Sequence, residues 1–124
     1  MKKLIFVLVL TAVGCMEHRD TGSLVNGYKL VAMNSSEIYI ANPTDELIIG
    51  PTIKTVGITG DVIVAYCGME KTVANGFENT RGYNIVDTRS GAVTTRLTEE
   101  GMRAQLSASN LKEPKMQSPS ALLR

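Results

Sequence analysis

The chain has no tryptophan, two phenylalanines, one histidine and two cysteines among its 124 residues. Each scarcity removes a class of chemistry. The single histidine, His18, lies in a polar stretch near the N-terminus, so a His-based triad, a His-ligated zinc site and a His general base inside the domain fail together. No metal or other cofactor is expected. Neither sign of charge is in excess, since 13 Lys and Arg face 12 Asp and Glu for a net of +1, and the charges are scattered. A nucleic-acid partner normally leaves a concentrated basic stripe, so none is expected here. The longest apolar run, Leu4 to Leu10, falls far short of the roughly 20 residues that span a bilayer as a helix.

What is present begins at the N-terminus. Lys2 and Lys3 precede the apolar run, and the small residues Ala12, Val13 and Gly14 follow it, which is the layout of an export signal. Ala12-Val13-Gly14-Cys15 resembles the lipobox of bacterial lipoproteins, matching it at Gly14 and Cys15, with Ala12 where leucine is usual. The resemblance implies removal of residues 1–14 and acylation of Cys15 as the new N-terminus. With Met16 rather than Asp after the cysteine, it also implies an outer-membrane lipoprotein facing the periplasm. Acyl chains contribute about 0.8 kcal/mol per buried methylene, so several of them hold a protein at a membrane without a spanning helix. Loss of Lys2 and Lys3 leaves 11 basic against 12 acidic residues, a net of −1. Cys67 is then left without an intramolecular partner and no disulfide framework exists. The domain must rely on its apolar core, a marginal situation at this size.

Residues 15–26 are mostly polar, contain Gly and Ser and show no sustained period, which predicts a flexible tether. Residues 27–106 alternate short β-branched runs with turn residues, predicting one mainly β (α+β) domain, a small antiparallel sheet or sandwich. Strands are expected at 28–33, 37–41, 47–49, 52–58, 62–67, 82–87 and 92–97. Gly60-Asp61 suits a two-residue turn with positive φ at its first position, setting Ile58 opposite Ile63 and Val56 opposite Ala65. The run 62–67 is almost wholly apolar and should lie near the centre of a sheet, covered on both faces. Asp87 and Gly91 mark a bulged second hairpin. Thr98 is the expected N-cap of a short C-terminal helix reaching about Leu106, with Glu99 and Glu100 in its first turn and Leu97 and Met102 forming a hydrophobic staple. Residues 107–124 mix Ser, Lys, Gln and two prolines and predict a disordered tail.

Few residues suggest chemistry. Cys67 is the only candidate nucleophile in the domain, and its apolar strand predicts a buried core cysteine. Asp45-Glu46 and Glu99-Glu100 occupy a turn and a helix start, unlike an acid/base couple that faces one bond from separate elements. Gly57-Ile58-Thr59-Gly60 lacks the lysine and following helix of a phosphate loop. Residues 68–81 form an aperiodic stretch of a length that is often functional. Phe77, Arg81 and Tyr83 lie in or beside it, and aromatic and Arg side chains are enriched in binding hot spots. These three are the expected partner-binding residues. The sequence therefore points to a non-enzymatic lipoprotein, held in the membrane through Cys15, that binds an envelope protein or an incoming toxin in an accessory, inhibitor or immunity-type role. A structural or assembly role is the alternative, and an envelope enzyme using Cys67 the weakest reading.

Overall fold

In the computed structural model, residues 20–123 are described. They form two antiparallel four-stranded sheets whose strand order follows chain order. The first comprises β1 (Asp20–Ser23), β2 (Lys29–Asn34), β3 (Glu37–Ala41) and β4 (Leu47–Ile49). The second comprises β5 (Ile53–Thr59), β6 (Val62–Cys67), β7 (Gly82–Asp87) and β8 (Val93–Leu97), followed by helix α1 (Glu99–Ala108). The mainly β expectation and the short helix are thus correct.

Period-two alternation decides which side chains turn inward. Leu30, Ile40 and Ile49 of the first sheet meet Ile53, Val56, Ile63, Ala65, Cys67 and Val86 of the second in one buried cluster. This apolar layer between the sheets is the main core. A second cluster covers the opposite face of the second sheet, where Val64 and Ile85 pack against Met102 and Leu106 of α1. Two covered faces explain why 62–67 reads as apolar without alternation. Cover ends at Tyr66, which is 36% exposed.

The two marked hairpins form as their residues require. Ile58 pairs with Ile63 and Val56 with Ala65, around a turn in which Gly60 takes φ 60°. In the β7–β8 loop the Asp87 carboxylate accepts from the backbone N–H of Arg89 and of Ser90, and Gly91 closes the bulge at φ 79°. Those two donors hold the Asp87 carboxyl below its ordinary range. At α1 the Thr98 side chain accepts from the Gly101 N–H at 3.0 Å, and Leu97 packs in the same cluster as Met102. Cap and staple are both present.

Two boundaries need correction. Residues 20–23, expected within the tether, form β1, paired with β2 from Asp20↔Ala32 to Ser23↔Lys29. The Asp-Thr-Gly-Ser run has no apolar period, so its order comes from ladder hydrogen bonds to β2 rather than from side-chain burial. The segment expected as a disordered tail is also ordered: α1 continues to Ala108, and Gln117 exchanges both backbone hydrogen bonds with Val56, at 2.8 and 2.9 Å. Pro119–Ala121 form a single 3₁₀ turn, while Leu122 and Leu123 pack against the inter-sheet core. Gly57 makes this return possible, because a Cβ there would lie 2.8 Å from the Lys115 carbonyl oxygen. The ordered domain accordingly exceeds 27–106 at both ends. The signal 1–14, Cys15 and His18 lie outside the described residues.

Candidate functional site

The three expected partner-binding side chains do not form one surface. Phe77 is half-buried and meets Tyr39 edge-on, with ring centroids 5.2 Å apart and planes at 81°. Tyr39 points away from the inter-sheet core, beside its cross-strand partner Val31, and is fully buried. Stretch 68–81 is what covers it. Asn75 donates to the Tyr39 hydroxyl at 3.1 Å, and burial pushes that phenol above its ordinary pKa. Lys71 donates to the Ser36 hydroxyl, and Thr80 exchanges hydrogen bonds with Gly50 through both its hydroxyl and its backbone. The stretch is thus a cover stitched to the first sheet. Arg81 is exposed, and among the described residues its side chain has no ion-pair or hydrogen-bond partner. Tyr83 lies on the second sheet, tilted against its register partner Tyr66 with centroids 4.8 Å apart.

Cys67 is fully buried, with Thr80 Oγ1 and Asn84 Nδ2 each 3.7 Å from Sγ. Burial raises its pKa, which disfavours the thiolate form that acts as a nucleophile. Asn84, also fully buried, donates to the Thr80 carbonyl at 2.9 Å and the Gly82 carbonyl at 3.1 Å, and accepts from the Arg96 N–H at 3.2 Å. These polar groups satisfy one another. Among the described residues no buried side-chain N or O lacks a partner, and no group of His, Cys, Asp and Glu is placed to hold a metal ion.

A concave surface lies where the β2–β3 hairpin meets the start of β5. Two adjoining cavities of about 520 and 330 Å³ share Ser35, Ile38, Ile53 and Lys54. Ile38 and Ile53 make an apolar floor, continued by Pro119 and Leu123 in the larger cavity. Ser35, Ser118, Ser120 and Asp20 supply polar groups to that cavity, and Glu70 and Lys71 to the smaller one, where Met69 adds an apolar side chain. Lys71 is engaged by Ser36 and lies 3.8 Å from Glu37. Among the described residues Lys54 has no ion-pair partner, and Met69 is 78% exposed. The C-terminal segment returns to form one wall of the larger cavity, through Ser118, Pro119, Ser120 and Leu123. Sequence reasoning assigned that segment to a tail, and so missed the site; Lys54 alone, an isolated cation between Ile53 and Thr55, carries no local signal. Comparison of the chain with family models, curated proteins and solved structures returned no match.

Proposed function

We propose that this protein is a bacterial envelope lipoprotein, acylated on Cys15 and displayed at the periplasmic face of the outer membrane, whose domain binds a protein partner through the cleft beside Ser35. The observation that carries the reading is the cleft itself. It has an apolar floor, hydroxyls around it, a Lys54 without an ion-pair partner among the described residues, and an exposed Met69 at its edge. Such a mixture suits recognition, where apolar contact supplies area and a few polar groups fix orientation.

Asp20 lines the larger cavity and follows Cys15 by only five residues. An extended chain of that length reaches at most about 17 Å. With Cys15 in the membrane, the cleft is held close to it, which favours a partner seated in or on the same envelope membrane over a freely diffusing toxin.

The two halves of the reading are tested separately. Cys15→Ala should abolish fatty-acid incorporation and release the protein from the membrane fraction; unchanged fractionation without incorporated fatty acid in the parent refutes anchoring. For binding, in-cell crosslinking of the anchored protein should yield a stoichiometric partner that Lys54→Glu loses without a change in melting. A partner lost on Arg81→Ala but kept in Lys54→Glu would place the interface on stretch 68–81 and overturn the cleft assignment.

A further inference from the structure

At the other end of β2 from the cleft, the tips of three hairpins meet. The β1–β2 loop turns through Asn26 at φ 53° and Gly27 at φ 84°, closed by the Tyr28 N–H on the Val25 carbonyl at 3.1 Å. From this tip Asn26 reaches across to the second sheet. Its side-chain amide donates to Asp61 Oδ1 at 3.0 Å, in the β5–β6 turn, and to Thr88 Oγ1 at 2.8 Å, in the β7–β8 loop. The Thr88 N–H donates to the Asp61 carbonyl at 3.0 Å, and Arg89 Nε lies 3.2 Å from Asp61 Oδ2. Asn26 is therefore a clasp between the sheets.

We propose that Asn26-Gly27 is a site of intramolecular deamidation that converts this clasp into a repelling pair of carboxylates. The Gly27 backbone nitrogen loses its proton to solvent base and attacks Cγ of Asn26. The Cγ–Nδ2 bond breaks, ammonia leaves with the proton it needs, and a five-membered succinimide forms. Water then opens either carbonyl, giving aspartate or isoaspartate at position 26, with no change of oxidation state.

Gly27 favours the step because no side chain shields its nitrogen, and neither its N–H nor Asn26 Oδ1 is hydrogen-bonded among the described residues. The chain's other Asn-Gly pair lacks this freedom. At Asn75-Gly76 the Gly76 N–H donates to the Val73 carbonyl at 3.2 Å, and Asn75 Oδ1 accepts from the Phe77 N–H at 2.8 Å. Once a carboxylate replaces the Asn26 amide, the donor to Asp61 Oδ1 becomes an anion at hydrogen-bond distance. Two carboxylates so placed do not both remain ionised without cost, so the hairpin tips separate.

The test incubates the full chain, folded and in urea, at mildly alkaline pH, and follows both Asn-Gly peptides by mass spectrometry for replacement of NH2 by OH. In the folded protein Asn26 should react severalfold faster than Asn75, whereas in urea the two rates should converge. Asn26→Asp should melt below the parent, and adding Asp61→Asn should restore part of the loss. Equal or inverted rates in the folded state overturn the site assignment. Parent-like melting of Asn26→Asp overturns the clasp.

Discussion

Replacing Phe77 by Ala separates a recognition residue from a covering one. Its ring is half-buried and edge-on to Tyr39, whose own side chain is fully buried beneath stretch 68–81. The aromatic pair contributes about 0.5–1.5 kcal/mol beyond area. A fully buried Phe→Ala costs about 3–5 kcal/mol, and roughly half burial with partial collapse of the loop brings the expected loss to about 2 kcal/mol. For a domain of this size each kcal/mol moves the melting temperature by roughly 4–8 °C, so Phe77→Ala should melt about 10 °C below the parent. Arg81→Ala removes an exposed side chain, and should stay within about 0.5 kcal/mol. Thermal unfolding followed by circular dichroism checks both, with the change in near-ultraviolet signal between Phe77→Ala and the parent reporting the loss of the ring beside Tyr39. Phe77→Leu should recover part of the loss by restoring apolar contact without the aromatic edge. The reasoning is refuted if Phe77→Ala melts with the parent and leaves the tyrosine signal unchanged, because Phe77 would then be free for a partner.

Gly57→Ala should destabilise by about 1–3 kcal/mol, the usual range for overpacking, since the new methyl would meet Lys115 O at 2.8 Å and Met116 Sδ and Pro114 Cβ at 2.9 Å; faster hydrogen exchange at Val56 and Gln117 should accompany it, and unchanged urea unfolding with unchanged exchange there would contradict a docked C-terminal segment. Cys67 should resist thiol reagents until the protein unfolds, and Cys67→Ala should cost about 1–3 kcal/mol through lost volume. Because burial raises the folded thiol pKa, its contribution is full below the ordinary thiol value of about 8.5 and is lost as pH rises towards the folded value. Stability that stays flat across that alkaline window in the parent, relative to Cys67→Ala, would refute this linkage.

Local chemistry made much of the fold legible. The bounds Glu37–Ala41, Leu47–Ile49, Val62–Cys67 and Gly82–Asp87 follow from β-branched runs between turn residues, because strand and turn preferences act over a few neighbours. The Ile58↔Ile63 register follows from Gly60, since a two-residue turn leaves only one alignment of the flanking strands. Thr98, Leu97 and Met102 likewise announce the start of α1, where cap and staple are contacts within one turn.

Elements held by distant partners were not legible. Asp20–Ser23 has no apolar signature and becomes a strand only through β2. Leu111, Met116, Pro119, Leu122 and Leu123 are too irregularly spaced to declare a face, yet Gly22 and Gly57 leave room for their backbone on strands far away in the chain. The candidate site shares this origin. By itself the amino-acid sequence determined the hairpins and the helix start, which depend on neighbouring residues. Only the tertiary structure decided that Phe77 covers Tyr39 and that the C-terminal segment walls a cleft beside Lys54, because those outcomes depend on which surfaces meet once the two sheets have closed on their common core.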